Sequence, residues 1–79
     1  MTNLYNEIKS VYDNEDYKLV KDYKGLEIEI SFLQQNQTIY ISAIDDNLQR
    51  VCEFENLHPK KASEILNACI TKYFKKRGL

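Results

Sequence analysis

Leu26-Glu27-Ile28-Glu29-Ile30-Ser31-Phe32 decides the fold of this 79-residue chain. Apolar side chains fall at 26, 28, 30 and 32 and polar ones at 27, 29 and 31, a period of two that an extended strand with one buried face satisfies. A parallel strand, covered on both sides, would read as a continuous apolar run, so the alternation predicts an antiparallel sheet with one open face.

On the C-terminal side, Gln34-Gln35-Asn36-Gln37 is a polar turn, and Thr38–Ile44 is β-branched and aromatic enough for a second strand. Asp45-Asp46-Asn47 makes another turn. Residues 50–55 form a last short strand, with Cys52 and Phe54 on its apolar side and Val51, Glu53 and Glu55 on the other. On the N-terminal side, Lys24-Gly25 closes a weaker alternation in which Tyr17, Leu19, Lys21 and Tyr23 oppose Lys18, Val20, Asp22 and Lys24. Residues 17–23 are therefore a strand or a loop.

The flanks change period. Leu4, Ile8, Val11 and Tyr12 lie on one face of a helix over residues 3–13, with Thr2 or Asn3 placed to cap its free N–H groups and the run Asp13-Asn14-Glu15-Asp16 ending it. After Pro59, which suits a first helical position, Ala62, Ile65, Leu66, Cys69, Ile70, Tyr73 and Phe74 form a broad apolar stripe. Lys72, Lys75, Lys76 and Arg77 complement the dipole at its end, and Gly78 stops it. The expected order is α-β-β-β-β-α, or α-β-β-β-α if residues 17–23 are a loop. This is an α+β domain: a four- or three-stranded antiparallel meander covered on one face by an N-terminal and a C-terminal helix.

Twelve acids against eleven bases give a net charge of −1, which hides a segregation. Residues 25–58 carry Glu27, Glu29, Asp45, Asp46, Glu53 and Glu55 against Arg50, whereas the segment after them carries Lys60, Lys61, Lys72, Lys75, Lys76 and Arg77 against Glu64. If the apolar side of each strand meets the helices, the open face presents Glu27, Glu29, Tyr40, Ser42, Glu53 and Glu55. That face is the expected partner-binding surface, because residues two apart on a strand, about 6.5 to 7 Å, approach the phosphate spacing of a nucleic-acid strand, and carboxylates so spaced can compete for a basic groove. Lys60, Lys61, Lys72, Lys75, Lys76 and Arg77 are the alternative, a phosphate-contacting set.

Catalytic chemistry finds few components. The single histidine, His58, precedes the last helix and is read as its boundary or cap. Cys52 and Cys69 lack CxxC spacing and with His58 supply at most three soft ligands, short of the four a structural zinc site takes. Both are expected as buried thiols rather than a disulfide. Two glycines exclude a glycine-rich phosphate cradle. No enzyme activity, metal or cofactor is expected, and apolar runs of at most three residues predict no membrane span or signal peptide, hence a cytoplasmic protein.

The α-β-β-β-α reading, with Lys60-Lys61-Ala62 opening the last helix, resembles the double-stranded-RNA-binding domain, whose Lys-Lys pair grips phosphates at this point. That resemblance implies duplex binding, although Phe54-Glu55-Asn56-Leu57-His58-Pro59 stands where the family has glycines. Short length, richness in Asn, Lys, Ile and Tyr, the opening Leu4-Tyr5-Asn6-Glu7-Ile8, the meander and the acidic surface are together similar to small phage-encoded inhibitors of the anti-CRISPR type. This second resemblance implies stoichiometric inhibition of a host nuclease or other nucleic-acid-binding protein in the host cytoplasm. The chain would act as a monomer or a homodimer, and a homo-oligomeric structural module, basic helix end against acidic sheet, is the remaining alternative.

Overall fold

The computed structural model describes residues 4–78, in the order α1 (Tyr5–Asn14), β1 (Leu19–Tyr23), β2 (Leu26–Leu33), β3 (Thr38–Ile44), β4 (Arg50–Leu57) and α2 (Pro59–Lys76). The four strands pair antiparallel in sequential order, so β1 and β4 are the edges. Residues 17–23 resolve as a strand from Leu19 onward, while Tyr17 stays outside it and is 87% exposed.

Alternation in β2 is realised as expected: Leu26, Ile28 and Ile30 are fully buried, with Ala43 and Ile41 of β3 opposite Ile28 and Ile30 and buried Ile39 opposite Phe32. Both helices lie on this face. α1 contributes Ile8 and Val11, with Leu4 just ahead of it, and α2 contributes Ala62, Leu66 and Ile70. Edge-to-face ring pairs, Tyr12 with Phe32 and Tyr23 with Phe74, each with centroids 5.7 Å apart, join a helix to the sheet beside this core. Lys21, on the helix side of β1, reaches Glu7 of α1 at 2.9 Å.

Helix ends differ from the sequence reading in detail. Thr2 and Asn3 lie outside the described residues; the N-cap position is Leu4, which offers no side-chain cap, and the helix runs one residue further, to Asn14. It stops because Glu15 turns left-handed (φ 54°) and the Asp16 N–H reaches back to the Val11 carbonyl, a Schellman-type closure without glycine. The Asp16 carbonyl then accepts the Phe32 N–H, tying this exit to the end of β2. His58 does occupy the N-cap of α2, but only its backbone acts there: its carbonyl accepts the Ala62 N–H at 2.9 Å, and its side chain makes no cap bond.

Lys24 and Gly25 both have positive φ, 55° and 88°, the two-residue primed turn whose twist matches a hairpin. A Cβ at Gly25 would meet nothing within 4 Å, so the obstacle to substitution is conformational rather than steric. Gly25→Ala is expected to lower stability by about 1 kcal/mol and Lys24→Asn to raise it by a few tenths, since asparagine tolerates the left-handed region better than lysine. A shift in urea midpoint at constant slope measures both.

The last strand corrects the sequence reading most. It extends to Leu57 and carries two irregularities in its pairing with β3: two β4 residues advance against one between Ala43↔Cys52 and Ile44↔Arg50, and three against two between Ile41↔Phe54 and Ile39↔Leu57. Each inserts one residue and reverses the alternation beyond it. Val51 consequently packs against the core together with buried Cys52, and Leu57 packs there too; Phe54 stays opposite Ile41 on the helix side, as expected, but on this edge strand it is 43% exposed. Asn56, left-handed at φ 62°, belongs to the second bulge and donates no ladder regularity; its side chain instead accepts from Asn36 at 2.7 Å.

Candidate functional site

The face of the sheet away from the helices follows from the register. One row across the strands is Val20, Glu29, Ser42 and Glu53; a second brings together Asp22, Glu27, Ile44 and Arg50; Ser31 and Tyr40 begin a third. Glu27, Glu29, Tyr40, Ser42 and Glu53 thus share one surface, as their strand positions implied, with Glu55 at its margin beside the bulge. Asp22, Lys18 and Arg50 join them, which strand-by-strand reading missed, because cross-strand neighbours depend on register. Five carboxylates then face two cations.

Those cations are not evenly spread. Lys18 lies 3.5 Å from Glu29, and Arg50 lies 2.9 Å from Glu53. Tyr40 donates its hydroxyl to the other Glu53 oxygen at 2.6 Å. That bond first, and Arg50 after it, hold the Glu53 carboxyl below its ordinary value, while the same bond raises the Tyr40 hydroxyl because its loss would set two anions together. Among the described residues, Asp22, Glu27 and Glu55 make no side-chain hydrogen bond or ion pair, so their charges face water undiluted. Ser42 is nearly fully buried, at 2%, and contributes shape rather than a contact atom. The surface is not flat: Tyr40, Glu53, Phe54 and Glu55 line a hollow of about 240 Å³.

The basic set divides. Along an 18-residue helix rising about 1.5 Å per residue, Lys60 and Lys76 are separated by about 24 Å, so Lys60 and Lys61 form no site with the other four. Lys72, Lys76 and Arg77 instead meet Arg50 around a groove of about 640 Å³ between β4 and the C-terminal half of α2, with Cys52 and Cys69 among its apolar walls. Lys75 lies outside that lining. Arg77 is held across Tyr73, its guanidinium 5.2 Å from the ring centre and 3.0 Å from the hydroxyl.

Protein-family models, curated proteins and solved structures return no match to the chain. The chemistry available is therefore read from geometry alone. His58, at the start of α2, is about 16 Å along the helix axis from Cys69, which separates the imidazole from that thiol. Burial first, and then Cys69 beside it, push the Cys52 thiol up to about 12. Among the described residues, no group of three or more His, Cys, Asp or Glu is arranged to hold a metal ion, and no helix is long and apolar enough to cross a membrane.

A pH dependence follows from the α1–β1 contact. The hydrogen bond from Lys21 holds the Glu7 carboxyl below its ordinary value near 4.5. A depressed folded value contributes stability that is present above the unfolded value and lost as pH falls through the folded one. Glu7→Gln is expected to flatten the loss of stability as pH drops below about 4.5, leaving the neutral-pH slope unchanged, as read by urea midpoints across pH.

Proposed function

We propose that this chain is a non-catalytic binding module that inhibits a nucleic-acid-handling protein by laying its acidic sheet face into that protein's basic groove. One observation carries the reading: a four-stranded sheet with both helices on one side leaves a carboxylate-rich face uncovered, and Glu27 and Glu55 there have no internal partner. Unpaired surface charge steers association with an oppositely charged groove and gives little to internal stability. Tyr40 and Phe54 add ring surface at the hollow beside those charges, the residue types that dominate contact energy at protein interfaces. The separation of His58 from Cys69 accords with action by occupancy.

Affinity capture from a host lysate, with and without nuclease, tests the reading. A protein partner retained after nuclease treatment and lost with the Glu27→Lys/Glu55→Lys chain is the expected result; capture that ignores both reversals would sink it. A second reading, nucleic-acid binding, draws on Arg50 joining Lys72, Lys76 and Arg77 around one groove. It expects a gel shift that weakens steeply with salt and disappears with Lys72→Glu/Lys76→Glu.

A further inference from the structure

Cys52 of β4 and Cys69 of α2 are both free and line one groove, close enough that Cys69 opposes ionisation of the Cys52 thiol. Their exposure differs. Cys52 is buried at 8%, because the first bulge of β4 turns Val51 and Cys52 toward the core, while Cys69 is only half-buried. That groove also carries Arg50, Lys72, Lys76 and Arg77 against Asp45 and Glu53, a net basic lining. Two thiols from different elements, facing one groove that opens to solvent and carries four cations against two acids, form an arrangement that a purely packing role does not require. A disulfide there would close a loop running through the end of β4 and the first half of α2.

We propose that Cys69 and Cys52 form a reversible disulfide by exchange with a small anionic disulfide of the glutathione class, drawn into the groove by its basic lining. Cys69, as thiolate, attacks one sulfur of the small disulfide, whose S–S bond breaks and releases one small thiolate that takes a proton from water. Cys52 then gives its proton to water and attacks the Cys69 sulfur, expelling the second small thiol. Two protein thiols are oxidised and one small disulfide is reduced to two thiols.

The order of events follows from the burial. Cys52 is a poor first nucleophile, since desolvation and the neighbouring Cys69 both oppose its thiolate. Once Cys69 is capped, the contribution of its charge disappears, and only burial remains to oppose the Cys52 thiolate. Because both residues face the same groove, ring closure is intramolecular, which offsets the small thiolate fraction.

The test is to incubate the reduced native chain with oxidised glutathione, follow intact mass and map the modified residues. The expected course is a transient adduct on Cys69, then a product lighter than the starting chain by two hydrogens, with Cys52 joined to Cys69. Cys52→Ser should stop at the Cys69 adduct, and Cys69→Ser should leave Cys52 unmodified until denaturant is added. The first step should slow several-fold with added salt or with Lys72→Glu/Lys76→Glu, and with uncharged hydroxyethyl disulfide it should show no salt dependence. A stable Cys69 adduct with Cys52 still reduced, first attack at Cys52, or native thiols that stay inert while the denatured chain reacts would each overturn the proposal. Salt-independent capture of oxidised glutathione would overturn the role of the basic lining.

Discussion

Ile41→Ala is expected to cost about 3 to 4 kcal/mol, the range for truncating a fully buried isoleucine whose surroundings cannot close the gap. Ile41 is 0% exposed on β3, an interior strand, with Ile30 on one side in register and Phe54 on the other. Phe54 is partly exposed and anchored in a bulged edge, so it does not collapse inward to refill the space. A chain of this length is stabilised by only about 4 to 12 kcal/mol in total, so the variant sits near the edge of unfolding at room temperature. Ile44→Ala, three residues along the same strand but half-buried on the open face, should cost under about 1.5 kcal/mol. Urea titrations of both variants, with the slope unchanged, check the contrast. Equal losses at 41 and 44 would mean that the core is not on the helix side of β3.

How much of this was readable beforehand depends on which residues are asked about. β2 and β3 were legible because a strand buried on one side must alternate, and Leu26, Ile28, Ile30, Ile39 and Ile41 obey that constraint without exception. The stripe of α2 was legible for the same reason at a helical period: Ala62, Leu66 and Ile70 are buried on it, and Ile65, Cys69, Tyr73 and Phe74 pack around them. The strand β4 was not, since a bulge is a backbone event. One residue is inserted between Arg50 and Cys52 and another between Phe54 and Leu57, where Asn56 enters the left-handed region, and these bring Val51 and Leu57 to the core; Phe54 keeps its parity opposite Ile41 and is 43% exposed because β4 is an edge strand.

The acidic face was legible strand by strand, as Glu27, Glu29 and Glu53, but its internal neutralisation was not. Lys18 beside Glu29 and Arg50 beside Glu53 are consequences of register and of the irregular start of β4. The same irregularity delivers Arg50 to the groove of α2, twenty-two residues or more from the lysines it joins there. Local charge patterning carries no trace of that encounter. Sequence periodicity thus located both surfaces, while tertiary pairing decided which charges on each remain available.

Reversing Glu27 and Glu55 to lysine is expected to weaken binding to the captured partner on the order of a hundredfold, which corresponds to roughly 3 kcal/mol. The two residues are chosen because neither makes an internal hydrogen bond or ion pair, so the folded chain should keep its stability to within about 0.5 kcal/mol. Reversing Glu53 would instead strand Arg50 and remove the acceptor of the Tyr40 hydroxyl, mixing structural damage with lost recognition. With both changes the face passes from five carboxylates against two cations to three against four, turning steering into repulsion of a basic groove. Most of the loss should appear in the association rate at low salt and shrink as ionic strength rises toward the regime where charges are screened within about 10 Å. Glu64→Lys, an exposed site on α2, makes the same kind of charge change away from the sheet and should leave affinity within about threefold. If Glu64→Lys, at one reversal, weakened binding as much as the double variant does, the chain's total charge rather than its open sheet face would govern the contact.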